Sequence, residues 1–122
     1  MPTFPINPGV GARFTFGRPR PARLSVASLE AVRVTVAATL GESVVDPTND
    51  AVYLAFTGVG ATPGSGDFVA GDWDTTAAGS QATCLVGPGG SAVLTAGLYS
   101  VWCKVSDDPE IPVRLVGDLG VW

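Results

Sequence analysis

Three carboxylates fall within four positions of the stretch SDDPEIPVRL, Ser106 to Leu115: Asp107, Asp108 and Glu110, with Pro109 and Pro112 beside them. Grouped carboxylates can hold a divalent cation or act as general acid and base. A calcium site needs roughly six to eight oxygens on a loop of defined geometry, and one tight turn does not supply them. The same residue types are what a turn between strands requires, because Asp side chains accept from nearby N–H groups and proline presets φ. The stretch follows a strand-like run ending at Val105 and reads as a turn. A second acidic stretch, GDFVAGDWDT, carries Asp67, Asp72 and Asp74. It reads the same way, with Trp73 as a packing anchor.

The rest of the inventory points away from catalysis. The chain has no histidine, the commonest general base and metal ligand. No Cys-x-x-Cys spacing is present, which removes the usual zinc pattern. GVGATPGSG is glycine-rich but lacks the Lys-Ser/Thr of a phosphate-binding loop and precedes no helix pattern. There is no Gly-x-Ser-x-Gly elbow between a strand and a helix. The expectation is a non-enzyme with no cofactor and no metal. Cys84 and Cys103 sit in apolar runs and are expected as buried thiols, with a bridge between them as the alternative.

The elements that must position any functional residue are strands. A chain of 122 residues, 46% hydrophobic and 15% charged, with 16 glycines and 10 prolines, is one domain built of short strands and turns. VRVTVAATL places Val32, Val34, Val36, Ala38 and Leu40 on one face and Arg33, Thr35, Ala37 and Thr39 on the other. AVYLAFTG sets Val52, Leu54 and Phe56 against Tyr53. In GLYSVWCKVS, Tyr99, Val101, Cys103 and Val105 oppose Leu98, Ser100, Trp102 and Lys104. ATCLV is a further strand closed by a Gly-Pro-Gly-Gly turn, and PVRLVGDLGVW is a last strand with a bulge near Gly117–Asp118. No segment has a sustained helical period. The expected fold is all-β, an immunoglobulin-like β-sandwich of about seven strands over residues 24–122. A small Greek-key barrel is the competing architecture.

Residues 1–23 differ from the remainder. Five prolines and three glycines exclude helix, yet Phe4, Ile6, Phe14 and Phe16 are too apolar for an idle linker. The segment reads as an extended basic arm that needs a surface, either on its own domain or on a neighbour, with ARFTF able to pair briefly as a strand. Residues 1–34 hold five arginines against Glu30 alone, whereas the remainder sets two cations against ten carboxylates. Such a split steers association with acidic surfaces. The arm's candidate partner-binding residues are Phe4, Ile6, Arg13, Phe14, Phe16, Arg18, Arg20 and Arg23. Trp102, outward by parity, is a candidate exposed aromatic contact. A pI near 4.4 and the lack of a continuing basic face argue against nucleic acid. No apolar run reaches the length of a membrane span, and the N-terminus lacks the apolar region of a signal peptide. The protein is expected to be soluble and made in the cytoplasm.

From Val32 onward, the Asp72–Trp73 pair, LVGPGG from Leu85, AGLYSVW from Ala96 and DDPEIPVR from Asp107 resemble a group of small immunoglobulin-like virion structural proteins of tailed bacteriophages of actinobacteria. The likeness covers about three-quarters of the chain and rests on structural turns. It implies a shared fold and a place on the virion, with the major capsid protein or other virion subunits as partners and a homo-oligomer in the particle. The role expected first is capsid decoration, with the arm laid on the shell. A head–tail connector or tail component is the alternative. A carbohydrate- or host-surface-binding module, using Trp73, Trp102, Trp122 and Tyr53 as an aromatic platform, is a third.

Overall fold

Alternating apolar residues need two sheets to face each other, and the chain supplies them. The computed structural model describes residues 13–76, 79–106 and 111–122. Their strands are β1 (Arg13–Phe16), β2 (Arg23–Leu24), β3 (Glu30–Leu40), β4 (Ser43–Val45), β5 (Ala51–Gly58), β6 (Phe68–Ala70), β7 (Asp72–Thr76), β8 (Gly79–Val86), β9 (Gly97–Ser106) and β10 (Val113–Val121). One sheet has the order β1-β3-β8-β7, with β4 also on β3, and the other has the order β2-β10-β9-β5-β6. The only helical elements among the described residues are two 3₁₀ turns, Pro47–Asn49 and Ser65–Asp67. The result is an all-β sandwich.

The period-two reading locates the core. Val32, Val34, Val36 and Ala38 are buried on β3, as are Val52 and Leu54 on β5, Ala82, Cys84 and Val86 on β8, and Val101, Cys103 and Val105 on β9. Leu40, at the end of β3, is only half-buried. Each fully buried Val or Leu contributes roughly 1.5–3 kcal/mol. Trp73 packs against this cluster and donates its indole N–H to the Asp50 carbonyl at 2.7 Å. The bulge expected in the last strand is present, with Val116 left between the pairs Leu115–Trp102 and Gly117–Val101.

The described part of the segment expected as an arm belongs to the sandwich. β1 pairs antiparallel with β3 in the register Phe14–Ala38 and Phe16–Val36. That turns both phenylalanines onto the core side, where they pack against the buried cluster, while Arg13 and Thr15 face outward. The chain then crosses between the layers, and β2 pairs parallel with β10, Leu24 opposite Val121. Leu24 is 2% exposed. The boundary expected between Arg23 and Leu24 therefore falls inside a strand. The physical reason is that FTF and RL carry the same in–out alternation as the body. β1, β2 and β4 bring the strands to ten where about seven were expected.

Candidate interaction surface

The crossing of the N-terminal segment creates the most distinctive surface of the molecule. Beyond β1, Gly17 N–H donates to the Thr35 carbonyl at 2.8 Å, and Arg20 and Arg33 exchange both backbone hydrogen bonds at 2.9 and 2.7 Å. The chain then switches layers, with Gly120 N–H donating to Ala22 and Trp122 N–H to Leu24. One stretch thus borders both sheets and carries Arg13, Arg18, Arg20 and Arg23 along a single seam, all four exposed. The bulge in β10 receives this stretch. Gly117 has φ +149°, and a Cβ there would lie 2.7 Å from Pro19 Cδ.

An open groove of about 650 Å³ follows the seam, walled by Arg18, Pro19, Arg23, Leu98, Leu115 and Asp118 among others. Leu98 and Leu115 are 58% and 55% exposed. The Arg23 guanidinium lies over the Trp122 ring, 4.6 Å from its centroid. No carboxylate among the described residues forms an ion pair with Arg13, Arg18, Arg20 or Arg23; the one bridge there joins Arg33 to Asp74 at 2.6 Å.

The other expected site residues fall elsewhere. Phe4 and Ile6 lie outside the described residues, as do Asp107, Asp108 and Glu110 of the acidic stretch, which belongs to the β9–β10 connection. Trp102 does point to the outer face, between Ala55 and Leu115 in register, but it is not a free contact. It is half-buried, and its indole N–H donates to Thr57 Oγ1 at 3.1 Å. Ala55, its cross-strand neighbour on that outer face, is 0% exposed, so the indole serves as a cover for its own sheet. Nor do the four platform aromatics come together. Trp73 is turned to the core, and the Tyr53 ring is capped by Lys104 Nζ at 4.6 Å, which also sits 4.2 Å from Phe68.

The second acidic stretch makes the opposite edge of the sandwich. β6 and β7 are the terminal strands of the two sheets at the side away from β1 and β2, and Asp67, Asp72 and Asp74 sit there. Asp67 accepts from Gly64 N–H at 2.7 Å, and Asp74 holds Arg33. No group of three or more potential metal ligands gathers among the described residues. Asp46, at the first 3₁₀ turn, accepts from the Thr48 hydroxyl and N–H, which holds its carboxyl below the ordinary value. Cys84 and Cys103 are free and buried. Burial raises Cys84 to about 11, with the Asp72 charge adding to it, and raises Cys103 to about 12.

The charge imbalance along the chain announced a basic N-terminal segment. It gave no sign that the basic and acidic stretches would end on opposite edges, since that follows from strand order alone. Compared with known proteins, the chain matches no family model, no curated protein and no solved structure.

Proposed function

We propose that this chain is an immunoglobulin-like structural subunit of a bacteriophage virion, serving as a capsid decoration (cement) protein attached to the outer shell through its N-terminal side. The strand order β1-β3-β8-β7 can be laid on the A-B-E-D sheet of that fold, and β10-β9-β5 on its G-F-C sheet, which supports this reading. Tyr99, near the start of β9, donates its hydroxyl to the Thr95 carbonyl at 2.7 Å. An upstream backbone bond of this kind is similar to that of a tyrosine corner, whose spacing this chain does not match, since the tyrosine precedes Cys103 by four positions and not two. The resemblance to virion proteins in Asp72–Trp73, LVGPGG, AGLYSVW and DDPEIPVR adds the context.

The observation that carries the reading is the arginine seam with its groove. Residues 1–12 join the sandwich at Arg13, on this same edge. An acidic surface laid in the groove would meet the guanidiniums of Arg18 and Arg23, which have no carboxylate partner among the described residues, beside the apolar walls Pro19, Leu98 and Leu115. Apolar burial there yields about 25 cal/mol per Å², and the arginines set register and partner choice. The partner under this reading is the major capsid protein or another subunit of the particle, which assembles in the host cytoplasm.

The test is the copy number of this protein relative to the major capsid protein in gradient-purified virions, by quantitative mass spectrometry. A ratio comparable to the capsid protein supports decoration, and absence from the particle overturns the virion reading. A small fraction supports the second reading, a head–tail connector or tail component. That alternative is favoured by the separation of charge onto opposite edges, which suits a head-to-tail ring.

A further inference from the structure

The two long edges of the sandwich are chemically complementary, and the geometry points to a specific occupant for each: the opposite edge of a second copy of this chain. This inference rests on the structural-subunit reading above and names the contact by which such subunits would associate with one another.

Every neighbouring pair along β1-β3-β8-β7 is antiparallel, so β1 and β7 run in opposite senses. A second copy displaced sideways along the sheet, without rotation, therefore brings its β1 antiparallel to the first copy's β7. That is the preferred sense for strand addition at an open edge. Side chains agree with this placement. Arg13 and Thr15 face outward on β1, their neighbours Phe14 and Phe16 being packed on the core side. Asp72 and Asp74 face outward on β7, in register with Thr83 and Gln81, while Trp73 pairs with buried Ala82. Arg20, bridged to Arg33 and so on the row Arg33–Thr83–Asp72, would then meet Asp72 on the outer face of the continued sheet, the arrangement that stabilises cross-strand pairs, with Arg13 farther along the same face.

Charge also decides which pairings are barred. Exposed strand edges usually carry charge to prevent association. Here two β7 edges would oppose Asp72 to its own copy, Asp74 being tied to Arg33, and two β1 edges would bring together Arg13, Arg18 and Arg20. Both like-edge dimers are repelled, and only the polar, head-to-tail contact is attractive. A heterologous contact of this kind builds a ring if the rotation per copy closes and a filament if it does not.

The test uses the full chain in sedimentation equilibrium over a concentration series at low and high salt, with two neutralised variants. One carries Arg13→Gln, Arg18→Gln and Arg20→Gln. The other carries Asp67→Asn and Asp72→Asn; the amide oxygen introduced by the first of these can still accept from Gly64 N–H, and Asp74 is left on Arg33. Wild type is expected to grow in mass with concentration and to dissociate with salt. Each variant alone is expected to associate at least about tenfold more weakly, equivalent to ~1.4 kcal/mol. Mixed together, the variants are expected to form a 1:1 heterodimer and nothing larger, because each retains one competent edge. That heterodimer also shows both variants to be folded. A monomeric wild type at about millimolar concentration, a variant that associates as well as wild type, or a mixture that forms no heterodimer overturns the proposal. Each of these outcomes is independent of the virion copy number, which tests the functional reading separately.

Discussion

The indole N–H of Trp102 donates to Thr57 Oγ1 at 3.1 Å across two neighbouring strands, and the same hydroxyl donates to the Ala61 carbonyl at 2.9 Å. One threonine thus fixes the outer-face tryptophan and the start of the loop after β5. Thr57→Val should remove both bonds while keeping the shape. A loss of about 1–3 kcal/mol is expected, read as a lower urea midpoint with unchanged m-value. Thr57→Ser should retain most of the stability.

Among the described glycines, Gly87 leaves the least room for a side chain. It has φ +132°, and a Cβ there would fall 2.0 Å from the Ser28 carbonyl oxygen. Gly87→Ala should cost roughly 2–4 kcal/mol through combined strain and clash. Gly89, at φ +80° with nothing within 4 Å, provides the comparison: Gly89→Asn should cost well under half as much, since asparagine tolerates this region. Thermal melts of the two variants check the difference.

The cysteines set an alkaline limit. Both thiols are raised in the folded state, Cys84 to about 11 and Cys103 to about 12, from an ordinary value of 9.0. Above pH 9 the unfolded chain gives up protons that the folded chain keeps, so stability should fall as pH rises. The fall should be complete once pH passes the folded values. A denaturation series from pH 8 to pH 11 should show it, and Cys103→Ala should flatten part of the slope. At pH 8 a thiol reagent should label neither cysteine until the protein is unfolded.

Truncation separates the two halves of the N-terminal segment. Deleting residues 1–12 removes none of the described strands and should lower the melting temperature less than the longer deletion does. Deleting residues 1–24 removes β1 and β2 and uncovers core otherwise packed by Phe14, Phe16 and Leu24. That deletion should unfold the domain or lower its stability by more than about 3 kcal/mol, by the scale of large-to-small core changes. Circular dichroism melts distinguish these outcomes.

The central strands were legible because period two is a local signal: Val32, Val34, Val36 and Ala38 declare their face without knowledge of any partner. Trp73 as an anchor, the break at Gly87–Gly90 and the bulge beside Gly117 were readable for the same reason. The seam was not. Arg23–Leu24 is two residues long, and what makes it a strand is Gly120 and Val121 at the far end of the chain. Parity placed Trp102 on the outer face correctly, but its exposure depended on Thr57 and Ala55 from another strand. The opposed charged edges had no sequence signature either, because Arg13 and Asp72 become opposite poles only when β3 and β8 lie between them.

The parallel pairing of β2 with β10 has a consequence for how the molecule is made. During synthesis β1 can dock as soon as β3 has emerged, but Leu24 has no partner until β10 follows, nearly the whole domain later. A nascent chain must therefore carry that apolar residue and an open seam through most of its translation. Contacts of such high sequence separation form late and slowly. The edge that completes the arginine surface is thus among the last parts of the fold to exist, and a half-made chain cannot present it.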